Sequence, residues 1–484
     1  MQSLKEKSII AVGWDLLGSF ATQGIQFIVS IILARLLSPS DFGLVGMAMV
    51  FIAISRTFID LGFSSALIQN QKNTTLTYSS VFILNLSIGI ILTLLFFSLA
   101  KPIGVFYEND TIEYLVLWLA PTLFFGALSM VQIAILKKEL QFKELSIRLL
   151  IAGLLSGIIG VILALLGYGV YALAIQFLLN SIINTIVLWR VSKWRPQFNF
   201  SFGEIKKLLS FSTYTFLGQS LNQIINKLDA LVIGKLFSPA TLGFFTRAES
   251  LNSLIATYTS GSLSKVFFPA MSTLQDEPEQ FRRIFLKVIS IVSFLTFFLS
   301  GFFILSSEFL IITLFGEKWR PSVFIFNILM LKIFCYPISV IIVNSFKAIG
   351  KAKEDFWYGL FRKALRLLPF VFAFFYGFEA FLYTFVIISI VGTLFNNLIA
   401  SLHLGIPFFT QTKEIYLFGV FFIIAVFIPF NYLYSVTCYE LINLLIRNFL
   451  FASIFITLVI IFKNSIIIEL LNRLKQVKEI ILKK

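Results

Sequence analysis

The chain has 484 residues, of which 58% are hydrophobic and 13% charged, about half the charge an ordinary soluble domain carries. With 58 phenylalanines and apolar runs near the roughly 20 residues that cross about 30 Å of hydrocarbon, it reads as an all-α, polytopic membrane protein. That excludes a soluble enzyme, a nucleic-acid-binding domain and a disulfide scaffold, and the net charge of +15 is read as loop charge on one membrane face.

The first apolar stretch, from Ile9 to Ala34, is too long for a signal-peptide core and lacks a small-residue cleavage site, so it is expected to be a permanent span. Thirteen more follow, giving Ile10–Ala34, Leu44–Leu61, Ser80–Ala100, Leu115–Leu136, Leu149–Leu166, Val170–Leu188, Ser210–Gly234, Leu242–Leu263, Ile284–Leu305, Ser322–Phe346, Trp357–Tyr376, Phe381–Ser401, Ile415–Leu433 and Leu441–Ile461. The eleventh carries Arg362, Lys363 and Arg366 in its first half. An even number of spans puts both termini on one face. With the termini inside, 28 of the 39 Lys and Arg fall on inner segments and 5 on outer ones, the remainder lying within spans. That asymmetry is the positive-inside signal of cytoplasmic termini. The outer loops are short and leave no room for an external domain. Cys335 is placed mid-membrane and Cys438 at an outer edge, so no disulfide joins them, and neither has metal-site spacing. Beyond Lys463, the residues Ile466, Leu470, Leu474, Val477 and Ile481 recur at helical spacing with Arg473, Lys475 and Lys478 between them. This pattern predicts an amphipathic tail on the inner leaflet.

An internal repeat links the two halves. Residues 33–43 read LARLLSPSDFG and residues 233–243 read IGKLFSPATLG. At an offset of 200, Leu36/Leu236, Ser38/Ser238, Pro39/Pro239 and Gly43/Gly243 are identical, and upstream so are Leu17/Leu217, Gly18/Gly218, Gln23/Gln223 and Ile25/Ile225. Six spans separate the copies, so both face the same way, as parallel repeats do. Each Ser-Pro ends one helix and opens the next, and the Gly permits close packing.

The LARLLSPSDFG hairpin, followed by Asp60-Leu-Gly-Phe-Ser-Ser-Ala-Leu-Ile-Gln69, resembles the opening of bacterial polysaccharide-transporter flippases. Further matches are FPAMSTLQDEPEQFRR at 268–283, LFGEKW at 314–319 and AIGKAK at 348–353. The family belongs to the multidrug/oligosaccharidyl-lipid/polysaccharide exporter superfamily, and the colanic-acid and teichuronic-acid exporters look most similar. The resemblance covers most of the chain to about residue 405. It implies a fold like that of the multidrug exporters of that superfamily: two parallel six-helix lobes, 1–205 and 206–405, around a central cavity, then two helices over 406–462 and the cytoplasmic tail at 463–484. It also implies alternating-access flipping of undecaprenyl-pyrophosphate-linked oligosaccharide across the cytoplasmic membrane, for O-antigen, capsule or exopolysaccharide synthesis. A polysaccharide polymerase is an expected neighbour, membrane lipids are contacts, and no nucleic acid is involved.

The charges inside the spans bear on the same question. A Lys, Arg or Asp at a helix centre costs about 3 kcal/mol on the insertion scale and normally faces a bundle interior or water. Arg56, Asp60, Lys227, Asp229, Arg247 and Glu249 concentrate on spans two, seven and eight, with Asp15 on span one and Lys332 on span ten. Arg56 and Asp60, four apart, are also placed to neutralise each other. Lys227 and Asp229 are two apart and do not share a face, nor do Arg247 and Glu249. A pyrophosphate needs cations and its sugars need amides. Lys227, Arg247, Arg56, Lys332, Gln23, Gln223 and Asn226 are therefore the candidate substrate contacts, although the amides also suit interhelical hydrogen bonds. Asp15, Asp60, Asp229 and Glu249 are candidates for a coupling Na+ or H+. There is no P-loop, nucleophile elbow or metal-ligand cluster, so no ATP-driven pump, cofactor, metal or enzymatic activity is expected. The alternatives are a small-molecule or drug cation antiporter of the same superfamily and a membrane polysaccharide polymerase or ligase. The short outer loops weigh against the enzyme.

Overall fold

The computed structural model describes residues 4–432 and 440–462, so Cys438 and the amphipathic tail expected at 463–484 lie outside the described residues. Among the described residues the regular structure is helical. Ten helices among the described residues are long and apolar enough to span a membrane, or eleven if the pair Asp110–Ala127 and Met130–Lys138, bent by 42°, is one span. The chain is a multi-pass membrane protein. Among the described residues each of the fourteen sequence-derived spans falls on one to three consecutive helices, but length and apolarity alone, the apolar test, do not return fourteen. The helices of spans seven and eight fail it, because of the polar and charged residues they carry. Spans eleven and twelve merge into one 52-residue segment, Lys353–Leu404.

The described residues divide into two compact units, one of residues up to Thr246 with Leu314–Lys318, the other of Arg247–Thr313 with residues from Trp319 onward. The first contains α1 (Leu4–Leu36), α2 (Pro39–Asp60), α3 (Phe63–Gln69), α4 (Thr75–Tyr107), α5 (Asp110–Leu119), α6 (Pro121–Ala127), α7 (Met130–Lys138), α8 (Phe142–Leu165), α9 (Val170–Val191), α10 (Phe202–Leu236) and the first turns of α11 (Pro239–Ser272). Helix α8 packs along both α1 and α9. Small residues line its seam: a Cβ on Gly157 would meet Val29 at 2.5 Å, and one on Gly160 would meet Gln176 at 3.0 Å. Between helices in lipid the drive is close packing rather than the hydrophobic effect, so small residues hold such seams together.

Helix boundaries repeat at the offset of 200. Helix α1 ends at Leu36 and α10 at Leu236, while α2 starts at Pro39 and α11 at Pro239. Ser38 is the N-cap of α2 and forms a capping box with Asp41, with Pro39 in the first turn, which satisfies donors that the helix itself leaves open. In the second copy Thr241 N donates to Ser238 Oγ at 3.1 Å. The two corners meet reciprocally. A Cβ on Gly43 would lie 1.7 Å from the Pro239 carbonyl oxygen, and one on Gly243 would lie 1.9 Å from that of Pro39. Backbone touches backbone here, which only glycine allows.

The second unit holds the rest of α11, α12 (Pro278–Phe315) up to Thr313, α13 (Pro321–Met330), α14 (Cys335–Ala348), α15 (Ala352–Leu365), α16 (Leu368–Leu404), α17 (Phe408–Tyr432) and α18 (Glu440–Ile461). Its core is aromatic. Phe294 on α12 packs on Phe418 of α17 and Phe455 of α18, with centroids 5.8 and 5.7 Å apart, and Phe297 stacks on Phe334 at 4.8 Å. Such pairs contribute about 0.5–1.5 kcal/mol beyond area burial. Helix α16 is interrupted at Gly377, whose φ of 86° is non-helical, and this break lies where the sequence separates spans eleven and twelve. Leu17, Ile91 and Phe374 are exposed on outward faces, as residues that meet lipid chains would be.

Candidate functional site

The polar residues of α10 meet α2 along an antiparallel seam. Phe58 lies edge-on to Phe216 at 5.3 Å, Gln223 Nε2 donates to the Ala53 carbonyl at 3.3 Å, and Gly234 abuts Met47. Rising numbers on one helix match falling numbers on the other. The seam carries Arg56 one turn beyond Ala53 and Lys227 one turn beyond Gln223.

Arg56 is exposed. The expected Arg56–Asp60 ion pair does not form. Asp60 instead accepts hydrogen bonds from the Ser64 backbone N–H at 2.9 Å and from the Ser64 hydroxyl. The chain reverses at Leu61 and Gly62, which brings the open N–H groups of α3 onto the carboxylate, a favoured acceptor at a helix N-terminus. Among the described residues Arg56 makes no ion pair or hydrogen bond. The same holds for Lys227, which is half-buried; Asp229, two residues on, is buried. Two cations thus flank the Gln223–Ala53 contact, and Asn226 is exposed on the same helix. Gln23 and Asp15 are both half-buried on α1, which packs along α8.

The other candidates belong to the second unit. Arg247 is buried, 7% exposed, and its guanidinium lies 5.1 Å from the ring of the fully buried Trp319. Glu249 accepts a hydrogen bond from Asn252 Nδ2 at 3.2 Å. Lys332 Nζ lies 3.9 Å from the centroid of Phe385. The structure therefore places Arg56, Gln223 and Lys227 on the facing helices α2 and α10 of the first unit, and gives Arg247 and Lys332 aromatic partners within the second.

The predicted outer ends of α1 and α10 are held by polar contacts. Arg35 Nε donates to the Leu314 carbonyl at 2.9 Å, and Lys318 Nζ donates to that of Arg35 at 2.8 Å. The LFGEKW motif thereby acquires a structural role. Burial lowers the Lys318 pKa, and nearby Asp41 partly opposes that. In the second copy, Lys235 pairs with Glu108 at 2.7 Å. That hydrogen bond and charge hold the Glu108 carboxyl below its ordinary range.

Sequence reasoning missed several residues. Arg148, counted among inner-loop charges, is buried on α8, and its Nε makes no hydrogen bond. Its position at the edge of an apolar run was the only signal. Arg366 shares the Phe385 ring with Lys332, at 5.8 Å. His403 Nδ1 lies 2.9 Å from Lys351 Nζ and its Nε2 lies 3.2 Å from the Tyr358 hydroxyl, a cluster spread over 52 residues of sequence. Among the described residues no three His, Cys, Asp or Glu side chains converge as metal ligands do.

The family described as polysaccharide biosynthesis protein matches residues 32–324. The succinoglycan biosynthesis transport protein ExoT of Rhizobium meliloti (strain 1021) is 26% identical over 353 residues, which is 72% of this chain and 71% of that protein. Among solved structures, the inward closed conformation of the lipid II flippase MurJ superposes with a TM-score of 0.76 at 18% identity, covering 94% of this chain and 99% of that one. An inward-facing multidrug-resistance transporter of the MATE family, within the MOP superfamily, superposes with a TM-score of 0.64 at 15% identity, over 80% of this chain and 98% of that one. The all-helical, multi-pass fold expected from the sequence is the one these structures share.

Proposed function

The chain belongs to the polysaccharide biosynthesis protein family, and from that premise we propose that it flips a lipid-linked oligosaccharide, carried on undecaprenyl pyrophosphate, from the inner to the outer leaflet of the bacterial cytoplasmic membrane. The product feeds surface polysaccharide synthesis. Both termini lie in the cytoplasm, the work is done by alternating access without a catalysed bond change, and the six-helix halves over 1–205 and 206–405 are the units of the cycle. The relative ExoT is named a transport protein for succinoglycan biosynthesis, which joins transport to polysaccharide assembly.

One observation carries the reading. Arg56 and Lys227 sit on facing helices with no ion pair among the described residues, on either side of the Gln223–Ala53 contact. Two cations within spans that close no ion pair among the described residues are costly, and a pyrophosphate passing between them supplies a matching charge. Gln223 and Asn226 offer amides to the first sugar. Arg247 and Lys332, within the second unit, and Gln23 on α1 are the further candidates for substrate contact. Asp15, Asp229 and Glu249 are the acids we assign to a coupling Na+ or H+. Asp60 is the weakest of that set, because Ser64 already occupies its carboxylate.

The energetics need no nucleotide. With the inside negative, moving a doubly anionic headgroup outward through the full field is downhill by about 4.6 kcal/mol per 100 mV. The test is complementation of an export-deficient strain with Arg56→Gln, Lys227→Gln and the double variant, at matched membrane levels. Surface polysaccharide should fall in each single variant and vanish in the double. Undiminished export by the double variant would contradict the assignment.

A further inference from the structure

The link between α9 and α10 carries an exposed aromatic tip on a fixed base. Helices α4 and α9 are both long and apolar enough to span a membrane. The link runs from the end of α9 at Val191, over the first turns of α4, to the start of α10 at Phe202. Its base is pinned to α4. The Gln197 backbone N–H donates to Ser79 Oγ at 3.0 Å and the Ser201 N–H donates to Ser80 Oγ at 2.9 Å. Both serines are fully buried. Trp194 packs on Phe82 of the same helix, with centroids 5.8 Å apart, and Arg195 Nη2 donates to the Trp189 carbonyl at 2.7 Å. Ser79 and Ser80 are neighbours, with Cα atoms about 3.8 Å apart, whereas four residues of extended chain reach about 13 Å. The segment between the two anchors therefore bows away from α4. Phe198 in the bow is 94% exposed and Phe200 50%, and Phe202 follows at 66%.

Exposed phenylalanine on the outer face of a spanning helix is ordinary, because lipid chains cover it. Phe198 stands instead on an irregular link among charged residues and needs another cover. The charge around it has one dominant sign. From Arg190 to Leu209 the chain carries Arg190, Lys193, Arg195, Lys206 and Lys207 against one acid, Glu204. That acid is already engaged by Lys207 and by the Thr77 hydroxyl. Lys193 and Lys206 are exposed and make no ion pair among the described residues. Phenylalanine beside Lys and Arg is the composition that binds an anionic bilayer surface. The rings enter the boundary between headgroups and acyl chains while the cations stay with the phosphates. Trp189 and Trp194 at the base are of the residue type that favours the same level. The link leaves α9 at the end of a helix of membrane-crossing length, which keeps it within reach of that boundary.

We propose that the bow over 197–201 is a membrane anchor: Phe198 and Phe200 insert into the surface of a bilayer that carries anionic phospholipid, and Lys193 and Lys206 rest on its headgroups. The anchor precedes α10, the helix whose end repeats that of α1 at the offset of 200. It therefore ties to the lipid the joint between the two copies of the repeat. It does not depend on the flippase reading.

The experiment places a spin label at Asn199→Cys, between the two rings, in the full-length protein with its own cysteines replaced (Cys335→Ala, Cys438→Ala). The protein is held in nanodiscs of phosphatidylcholine alone, or of phosphatidylcholine and phosphatidylglycerol in equal parts. Depth is read from collisions of the label with oxygen, which concentrates in lipid, and with a water-soluble nickel chelate. In the anionic discs the label should collide chiefly with oxygen, whereas a control label at Gln71→Cys, on an exposed turn, should collide chiefly with nickel. Phe198→Ser/Phe200→Ser should bring the label at 199 to the control reading. Lys193→Gln/Lys206→Gln should lower its oxygen-to-nickel ratio at least twofold in the anionic discs and leave it unchanged in the neutral ones. All four side chains are exposed, and unchanged elution and thermal midpoint confirm that the variants fold. Three results overturn the anchor: a label that reads as aqueous in the anionic discs, a label shielded from both reagents as under a protein partner or a second copy, and a ratio indifferent to phosphatidylglycerol. Flipping measured on the same protein keeps the two assignments apart. Immersion without flipping overturns only the proposed function, and flipping with an aqueous label overturns only the anchor.

Discussion

Arg56 shows what a sequence discloses about a charge and what it leaves out. Its presence within a span, and the cost of that, were legible. Its partner was not, because an acid four residues away is a partner only if nothing else claims it, and Ser64 claims Asp60. Arg247 makes the same point. Two-residue spacing excluded Glu249, but the ring beneath the guanidinium belongs to Trp319, 72 positions on. Trp319→Leu removes that ring, and a partly buried cation–π contact contributes about 2 kcal/mol. The thermal midpoint should fall in Trp319→Leu and much less in Trp319→Phe; equal falls would mean that packing, not the cation–π contact, matters there. Glu108 yields a pH prediction. Lys235 depresses its folded pKa, so its stabilising contribution is present above the ordinary carboxylate value of about 4.3 and is lost as pH falls through the lower folded value. Lys235→Met should return the Glu108 carboxyl to its ordinary range, read by carbon NMR of labelled Glu. A titration unchanged by the substitution would remove the ion pair from the account.

At the scale of elements, hydropathy found where helices lie but not where they break. Spans four, ten and eleven are each interrupted, span four by the restart at Pro121 and by a further break before Met130, ten at 331–334 and eleven at 366–367. An average over about twenty residues smooths such breaks away. Pro121, Pro337 and Pro369 stand within a few residues of a break in each of the three spans, a local signal that the averaging overlooks. The Ser-Pro corners were legible because their chemistry is local: a capping serine, a first-turn proline and a glycine four residues on. That the two corners touch was not, since nothing in either copy encodes the distance between them. Gly43→Val and Gly243→Val put side-chain atoms where the structure has a carbonyl oxygen at 1.7 and 1.9 Å. Overpacking of this kind costs about 1–3 kcal/mol. Both variants should lose export and thermal stability, whereas Gly46→Ala, whose Cβ would meet Leu242 at an ordinary 3.4 Å, should behave as wild type. Normal export by Gly43→Val would show that the corner need not close.

For the molecule as a whole, composition and charge bias carried most of the reading, because the bilayer leaves a multi-span chain few alternatives to a helical bundle. The same bias predicts that reporters fused at Gln71, Glu139, Arg195 and Lys351 read as cytoplasmic and those at Asp110 and Lys318 as external. Function was legible only through motifs that carry a family likeness, since transport makes and breaks no bond and leaves no catalytic signature in sequence. The central claim is that the chain moves a lipid-linked anion past Arg56 and Lys227. Its most direct measurement is flipping of a defined undecaprenyl-pyrophosphate oligosaccharide in proteoliposomes under an imposed potential. The account predicts protein-dependent flipping, faster toward the positive side and at least tenfold slower in Arg56→Gln/Lys227→Gln; no flipping by wild type, or an unchanged rate in the double variant, would contradict it.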